Sequence, residues 1–472
     1  MSNVTPLEKA AAKLATKSKA KPKPTAHAAN DEANHLSLAE QFIDIVFEET
    51  GEYPVFSLGA FYQFEPDSSE WKPIKMDALA VKIGRQFSGS RLCKKAADYK
   101  QVAGLVATIS EKEDFFSDAP GGIAAGGKFY RVAPDGQIVS SPLAAKHRQR
   151  MSVLSEPDFE ADAPQLNQIL NKALGVTEAG LEQRELLQMA MGAALTCTLW
   201  RYRTVLMLYG ASSTGKSTLL EVLKRFFPSD RVGATNPANW NQEYHAGALA
   251  GRSLNLVGEL DANTPIAGGI FKAVTGGDVI EARHPSHRPF SFVCMAGHIF
   301  NCNRMPPTRD KSDAFFRRWR IVEFSNSVAV CSEIIGLADR IFNQEQAAVL
   351  AWLINGAVAL AKHGSLPETE NHRRLIQYWR SANNSALQFI LDPEYLELKQ
   401  PDNPLSAKDV FSVYRKWANE VGVKPLGRNA FYEAIGDGGG RVGVAIADDR
   451  DGVKIISGIG FKAQSQSVLN HE

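Results

Sequence analysis

Cysteine is scarce in this 472-residue chain: Cys93, Cys197, Cys294, Cys302 and Cys331 are odd in number and contain no C-x-x-C pair. A disulfide framework is therefore not expected, and a reducing, cytoplasmic setting fits best. The nearest approach to a metal-ligand pattern, Cys294, His298 and Cys302 in CMAGHIFNC, reads better as a buried strand with small residues than as a zinc site. No apolar run reaches the roughly 20 residues that a bilayer requires. The most apolar one, AAVLAWLINGAVALA from Ala347, is broken by Asn355 and Gly356 and is expected to be a core helix. The N-terminal segment has neither the continuous apolar stretch of a secretory signal nor the arginines of a transit peptide, so no membrane partner is expected. Charge excess is also missing. A formal net charge of +1 leaves any nucleic-acid binding to local patches. Internal repeats are absent, and no paired acidic catalytic motif occurs between about 36 and 165.

What is present is an ordinary globular composition, 44% hydrophobic and 22% charged, in a chain long enough for about three domains of roughly 100 to 200 residues. Residues 1–35 carry alanine, lysine and proline with almost no large apolar side chains, and are expected to form a disordered basic tail. An N-terminal accessory domain of α+β character is expected over 36–194, turning helical from about 166. An α/β ATPase core is expected over 195–365, a helical linker over 366–402 and a winged-helix module over 403–465. The last rests on helix, helix and hairpin patterns in SAKDVFSVYRKWANEVG, GRNAFYEAIG and RVGVAIADD with GVKIISGIGFKA.

The strongest chemical signal is YGASSTGKST, Tyr209 to Thr218, which contains G-x-x-x-x-G-K-[ST]. A loop of small residues lets backbone N–H groups cradle phosphate oxygens, Lys216 reaches the β and γ phosphates, and the Ser217 hydroxyl binds Mg²⁺. The flanks agree with that reading. RTVLMLY is a short apolar strand candidate, and Leu219, Leu220, Leu223 and Phe226 recur at helical spacing until Pro228. ATP and Mg²⁺ are the implied ligands, held by Gly210, Ala211, Ser212, Ser213, Thr214, Gly215, Lys216, Ser217 and Thr218. A decoy, GGIAAGGKF, has Phe129 where the hydroxyl is needed and is expected to be a glycine-rich loop preceded by no strand.

Four further elements follow in order. Glu259, after the strand candidate in SLNLVGELD, is a candidate general base and indirect Mg²⁺ ligand, with Asp261 a weaker second acid. Arg283, His284, His287 and Arg288 crowd into a basic hairpin between two strand candidates, after a tight turn at Gly276, Gly277 and Asp278. FVCMAGHIFNCNRMPP reads as one apolar strand ending at Asn303, whose amide is placed to orient water or sense a γ-phosphate. Arg317 and Arg318 in SDAFFRRWRIVEF are suited to stabilising transition-state charge from an adjoining subunit.

The series GASSTGKST, LVGELD, KAVTGGDVIEARH, FNCNRMPP and DAFFRRWRIVEF resembles the superfamily 3 helicases, most closely the phage and plasmid primase-helicase (poxvirus-type NTPase-like) branch. NQEQAAVLAWLINGAVALAKHG resembles that branch's glutamate-led helix with its tryptophan and glycine. The resemblance implies an AAA+-type ATPase, a homo-hexameric ring with ATP between neighbours, and single-stranded DNA in a central pore. It implies Glu259 as the acid of the second motif, Asn303 as sensor, and Lys272, Thr275 and Asp278 as the motif before the pore hairpin, whose tip lies at or near Arg283 and His284. Either Arg317 or Arg318 is the implied finger. Gly258 departs from the pattern, since that place is acidic in many relatives. No primase domain is expected, so primer synthesis falls to a separate primase or polymerase. The expected function is an ATP-dependent replicative DNA helicase of a mobile element. The alternatives are an AAA+-like loader of replication proteins and an origin-binding initiator. Arg428, Asn429 and Arg441 are candidates for origin or fork DNA contact in the winged helix.

Overall fold

The computed structural model describes residues 34–261, 263–284, 289–326, 336–382, 385–398, 403–421 and 425–462. Residues 1–33 of the tail expected over 1–35 lie outside them, as do His287 and Arg288, while Asn34 and His35 belong to the start of the first helix. The first unit contains α1 (His35–Thr50), a three-stranded antiparallel meander of β1 (Val55–Ser57), β2 (Ala60–Glu65) and β3 (Glu70–Ile74), then α2 (Met76–Gln86) and α3 (Ala96–Ile109). Asn34 caps α1 by accepting the Ser37 N–H at 3.0 Å, and Gly51 ends it at φ +75°. Phe42, Val46, Phe61, Ile83, Val102 and Val106 form its core.

A four-stranded sheet follows, ordered β6-β5-β4-β7 from β4 (Gly122–Ala125), β5 (Lys128–Val132), β6 (Ile138–Pro142) and β7 (Ser152–Val153). The decoy segment is thus a hairpin rather than a loop: β4 precedes its turn, and Gly126 and Gly127 supply positive φ at the two turn positions. The alanines and glycines that hid the strand are small because β4 is buried throughout.

The central sheet is parallel and five-stranded, ordered β14-β8-β13-β10-β9, from β8 (Val205–Gly210), β9 (Val232–Gly233), β10 (Leu254–Val257), β13 (Gly297–Cys302) and β14 (Trp319–Phe324). Both faces are covered, which is why β8 reads as an unbroken apolar run. Leu206 and Leu208 join one core with Leu219, Leu223 and Ile354, while Val205 and Met207 join the opposite one with Trp240, Phe271 and Trp319. The remaining elements here are α6 (Lys216–Lys224), α7 (Glu243–Gly247), α8 (Gly268–Gly276), a separate hairpin of β11 (Val279–Ala282) with β12 (Phe290–Val293), α9 (Asp313–Phe316), α10 (Leu337–His363) and α11 (Glu370–Ala382). FVCMAGHIFNC is therefore two strand segments, the end of β12 and the whole of β13, separated at 294–296.

Helices α4 (Pro164–Leu174) and α5 (Glu178–Leu195) share the core of this sheet, so the unit boundary expected at 194/195 falls inside a packed body. Polarity explains the contact. Glu345 of α10, itself buried, accepts the N–H groups of Gln165 at 2.8 Å and Leu166 at 3.1 Å and so caps α4. Helices α5 and α10 touch backbone to backbone: a Cβ on Gly356 would lie 2.1 Å from the Gln188 carbonyl oxygen, and one on Gly192 2.1 Å from that of Leu353. Gly356→Ala should consequently lower stability by about 3 kcal/mol, because neither backbone can give way. A denaturant midpoint unchanged from wild type would show that the helices separate freely.

The last unit comprises α12 (Ser385–Ile390), β15 (Leu396–Leu398), β16 (Leu405–Ser406), α13 (Ala407–Glu420), α14 (Arg428–Gly438), β17 (Ala445–Asp448), β18 (Lys454–Ser457) and β19 (Ile459–Phe461). Its three-stranded sheet is ordered β16-β18-β17, and β15 pairs separately with β19. Phe389, Tyr414, Trp417 and Phe431 make one core with Ile456, so this unit starts at α12 rather than at 403. Among the described residues, no helix is long and apolar enough to cross a membrane.

Candidate functional site

Three loops leave the C-terminal edge of the central sheet side by side, from β8, β13 and β10, at the edge where ligands collect in open parallel sheets. The loop after β8 runs from Gly210 to Lys216 and feeds directly into α6. Gly210 sits at φ +153°, and a Cβ there would lie 2.2 Å from the Phe324 carbonyl oxygen of β14. Gly215 sits at φ +89° and heads α6. Ser213, at φ +56°, holds a left-handed conformation without being glycine, at a cost of roughly 1 kcal/mol or more. Ile169 of α4 packs near Gly215, its Cγ2 being 3.4 Å from where a Cβ would stand.

Lys216 is 3% exposed and folds back over its own loop, donating through Nζ to the carbonyl oxygens of Gly210 (2.8 Å) and Ala211 (2.5 Å) and to Thr214 Oγ1 (3.1 Å). Burial lowers its pKa, against the opposing pull of Cys302 and Glu259. Among the described residues no carboxylate bonds to it. A buried ammonium held by neutral oxygens at a helix N-terminus fits a polyphosphate anion, and the Ser217 hydroxyl is exposed beside it. These residues would hold ATP, with Ser217 a ligand for Mg²⁺. Bound Mg²⁺ would supply charge neutralisation at the phosphate oxygens.

Glu259 follows β10 and is exposed; Asn303 follows β13. The Asn303 amide donates from Nδ2 to Glu259 Oε1 at 3.4 Å, so the expected acid and sensor meet. Cys302 at the end of β13 is buried, and burial pushes its thiol up to about 12, with Lys216 pulling it down and Glu259 adding to the rise. Asp261 is otherwise engaged. It accepts from the Thr264 hydroxyl and from Asn263 N (2.8 Å), closing a turn, whereas Glu259 keeps only its contact with Asn303 among the described residues. At Gly258 an added Cβ would meet nothing within 4 Å, so steric crowding does not explain why an acid is missing there. Cys294 and His298 touch at 3.7 Å in the core, where burial holds the imidazole down at about 3. Cys302 belongs to the other end of β13.

The arginine pair lies at the opposite edge of the sheet. Val205 N donates to Arg318 O at 2.7 Å, and β14 then runs in register with β8 from Trp319↔Val205 to Phe324↔Gly210. Five strand steps put the pair about 17 Å from the glycine loop of the same chain. The two arginines differ. Arg318 donates to the Ala314 carbonyl, lies by Gly276 and Asp278, and has its pKa lowered by burial and by Arg317. Arg317 is exposed, and its side chain makes no ion pair or hydrogen bond among the described residues. Asp313 pairs with Arg380 at 2.7 Å instead of with either. Lys272 is bound to Asp310 at 2.8 Å, and Thr275 Oγ1 donates to the Phe271 carbonyl at 2.7 Å within α8.

On the hairpin, Arg283 Nε approaches Glu243 of α7 at 3.6 Å. The His284 ring stacks on Phe290 with centroids 4.7 Å apart, and Phe290 lies against Gly59 of the first unit, 3.0 Å from where a Cβ would stand. In the last unit Arg428 lies over the Phe411 ring at 5.7 Å, Asn429 is exposed in the first turn of α14, and the Arg441 side chain lies outside the described residues. The helix-capping role of Glu345 and the packing of Ile169 on the glycine loop carry no local sequence signal for the site.

A family model described as a family of unknown function, DUF5906, matches residues 208–318, a span that includes the glycine loop, Glu259, Asn303 and both arginines. No curated protein matches. Solved structures similar to this chain include the apo structure of the NrS-1 C terminal region (305–718), at 11% identity and TM-score 0.47, covering 91% of this chain and all of that one. An A form apo structure of the same region has 11% identity and TM-score 0.44, covering 87% of this chain and 88% of that one.

Proposed function

We propose that the chain is an ATP hydrolase of AAA+ type that works as a ring and drives single-stranded DNA through its centre, as a replicative helicase. The observation that carries this reading is the meeting of Glu259 and Asn303 beside buried Lys216, three residues from three strand ends. In that arrangement Lys216 and the loop N–H groups hold the phosphates, Asn303 orients Glu259, and Glu259 takes the proton of the attacking water. Arg317, exposed and far from its own loop, serves the ATP of a neighbouring subunit. A forked duplex tests the reading: strand displacement with ATP and none without it supports a helicase, whereas ATP turnover without displacement removes that activity.

One observation favours a second reading, an ATP-dependent switch that loads or remodels other replication proteins. Both described basic residues of the hairpin have partners inside the chain, Arg283 at Glu243 and His284 on Phe290. Arg283→Ala with His284→Ala separates the two. In a helicase, single-strand affinity and its salt dependence fall together with DNA-stimulated turnover. In a switch, unwinding-independent ATPase stays at the wild-type level and strand affinity does not move.

For the last unit we propose a winged helix that contacts duplex DNA through the first turn of α14, where Arg428 and Asn429 stand. Removing residues from 385 onward should weaken duplex binding several-fold while basal ATPase persists; loss of ATPase would make this unit a packing element instead.

A further inference from the structure

Between the first units and the central sheet lies a cavity of about 40 Å³, lined by Arg148 and Arg150 on one side and Thr196, Cys197, Arg201 and Ser253 on the other. No aspartate or glutamate lines it. Its cations are anchored but unneutralised. Arg148 gives Nη1 to the Phe115 carbonyl at 2.8 Å, Arg201 gives Nη2 to that of Ala119 at 2.8 Å, and Arg150 gives Nη1 to that of Gly251 at 3.0 Å. Arg231 stands behind them, 3% exposed, and donates Nη1 at 3.1 Å to the same Gly251 oxygen. Two guanidinium groups thus converge on one neutral acceptor.

Like charges at that separation repel, and burial strengthens the repulsion. Among the described residues the single carboxylate within ion-pair reach of these four arginines is Asp230, 3.5 Å from Arg231 Nε and largely exposed to solvent. That Nε makes no hydrogen bond although it is buried. Cys197 senses the same convergence, with Arg150, Arg231 and Arg201 all pulling its thiol down against the larger effect of burial. Arg231 is buried, Arg148 and Arg150 are half-buried and Arg201 is exposed, and each lies over an aromatic ring, Phe115 for Arg148, Phe116 for Arg150, Trp200 for Arg201 and Tyr62 for Arg231, rather than against a carboxylate in the cavity; their planar guanidinium forks match tetrahedral oxyanions. The cavity is several times the roughly 10–15 Å³ that one water centre needs and far below the roughly 300–1,000 Å³ of a pocket for a bulky ligand.

We infer that this cavity is a binding site for one phosphoryl anion, held between Arg148 and Arg150 of the N-terminal region and Arg201 of the core. It is separate from the glycine loop and does not depend on what that loop binds. Occupancy ties the N-terminal region to the ATPase sheet, because the anion's ligands come from both.

The test is a calorimetric titration of the full chain carrying Lys216→Ala, with inorganic phosphate as probe at constant ionic strength. One saturable site per chain is expected, at least tenfold weaker after Arg150→Gln and likewise after Arg148→Gln, two variants that retain polar side chains at the cavity wall. A short oligonucleotide without terminal phosphate is the second arm. If it displaces phosphate in an Arg150-dependent way, a strand backbone supplies the phosphoryl group; if it does not, the free anion is the ligand. Absence of a saturable site in the Lys216→Ala chain, or an affinity unchanged in both glutamine variants, overturns the assignment.

Discussion

Lys216→Ala is expected to reduce ATP turnover by about a thousandfold while leaving the fold in place. The reduction follows from removing the one buried cation among the loop N–H groups: preorganised positive charge at a dry site contributes most where transition-state charge develops, and one such donor accounts for roughly 10²- to 10³-fold. Loss of ground-state phosphate binding adds to it. The fold should persist because, among the described residues, the ammonium bonds only to its own loop, to the Gly210 and Ala211 carbonyls and the Thr214 hydroxyl, and not to a buried carboxylate that its removal would strand. Thermal melting within a few degrees of wild type, together with turnover near background, is the expected pair of results. Retained turnover would remove the glycine loop from the chemistry.

Glu259→Gln separates binding from chemistry. Glutamine keeps the oxygen that accepts from Asn303 Nδ2, so the local contact survives, but it has no basic oxygen to receive a proton. A positioned general base accounts for roughly 10²- to 10⁴-fold, so hydrolysis should fall by at least about a hundredfold with nucleotide affinity nearly unchanged. Nucleotide binding by fluorescence and phosphate release measure the two separately. Since Asp261 is committed to Thr264 and Asn263, it should not take over. Hydrolysis restored by Gly258→Asp in the Glu259→Gln chain would instead show that the neighbouring open position can hold the acid.

Much of this site was legible in the sequence because its parts are local. The glycine loop needs a residue without Cβ at Gly210, where β14 passes close, and favours one at Gly215, where φ is +89°, and those two are letters of the motif itself, whereas the positive φ of Ser213 leaves no such mark. Strand β8 and helix α6 announced themselves by period. Other features depend on partners distant in the chain. Nothing local to residues 164–195 says that α4 and α5 belong to the core of the central sheet; that follows from Glu345 and Gly356, far downstream. GGIAAGGKF looked like a loop because a strand buried on both faces against close neighbours needs small residues, which score poorly as strand formers. Arg317 and Arg318 are adjacent and chemically identical, and only tertiary packing divides them, tying Arg318 to Ala314 and leaving Arg317 outward.

That difference yields the most direct test of the shared-site mechanism. Lys216→Ala chains and Arg317→Ala chains should each be nearly inactive, for different reasons: one lacks the cation in its own loop, the other the cation offered to a neighbour. Mixed in equal amounts, with mixed assemblies demonstrated by mass, they should recover a substantial fraction of wild-type ATP hydrolysis, because some interfaces then join an intact loop to an intact Arg317. Arg318→Ala in place of Arg317→Ala should instead lower stability. Mixed assemblies that hydrolyse no more ATP than the two variants apart would contradict a site shared between subunits, and with it the ring.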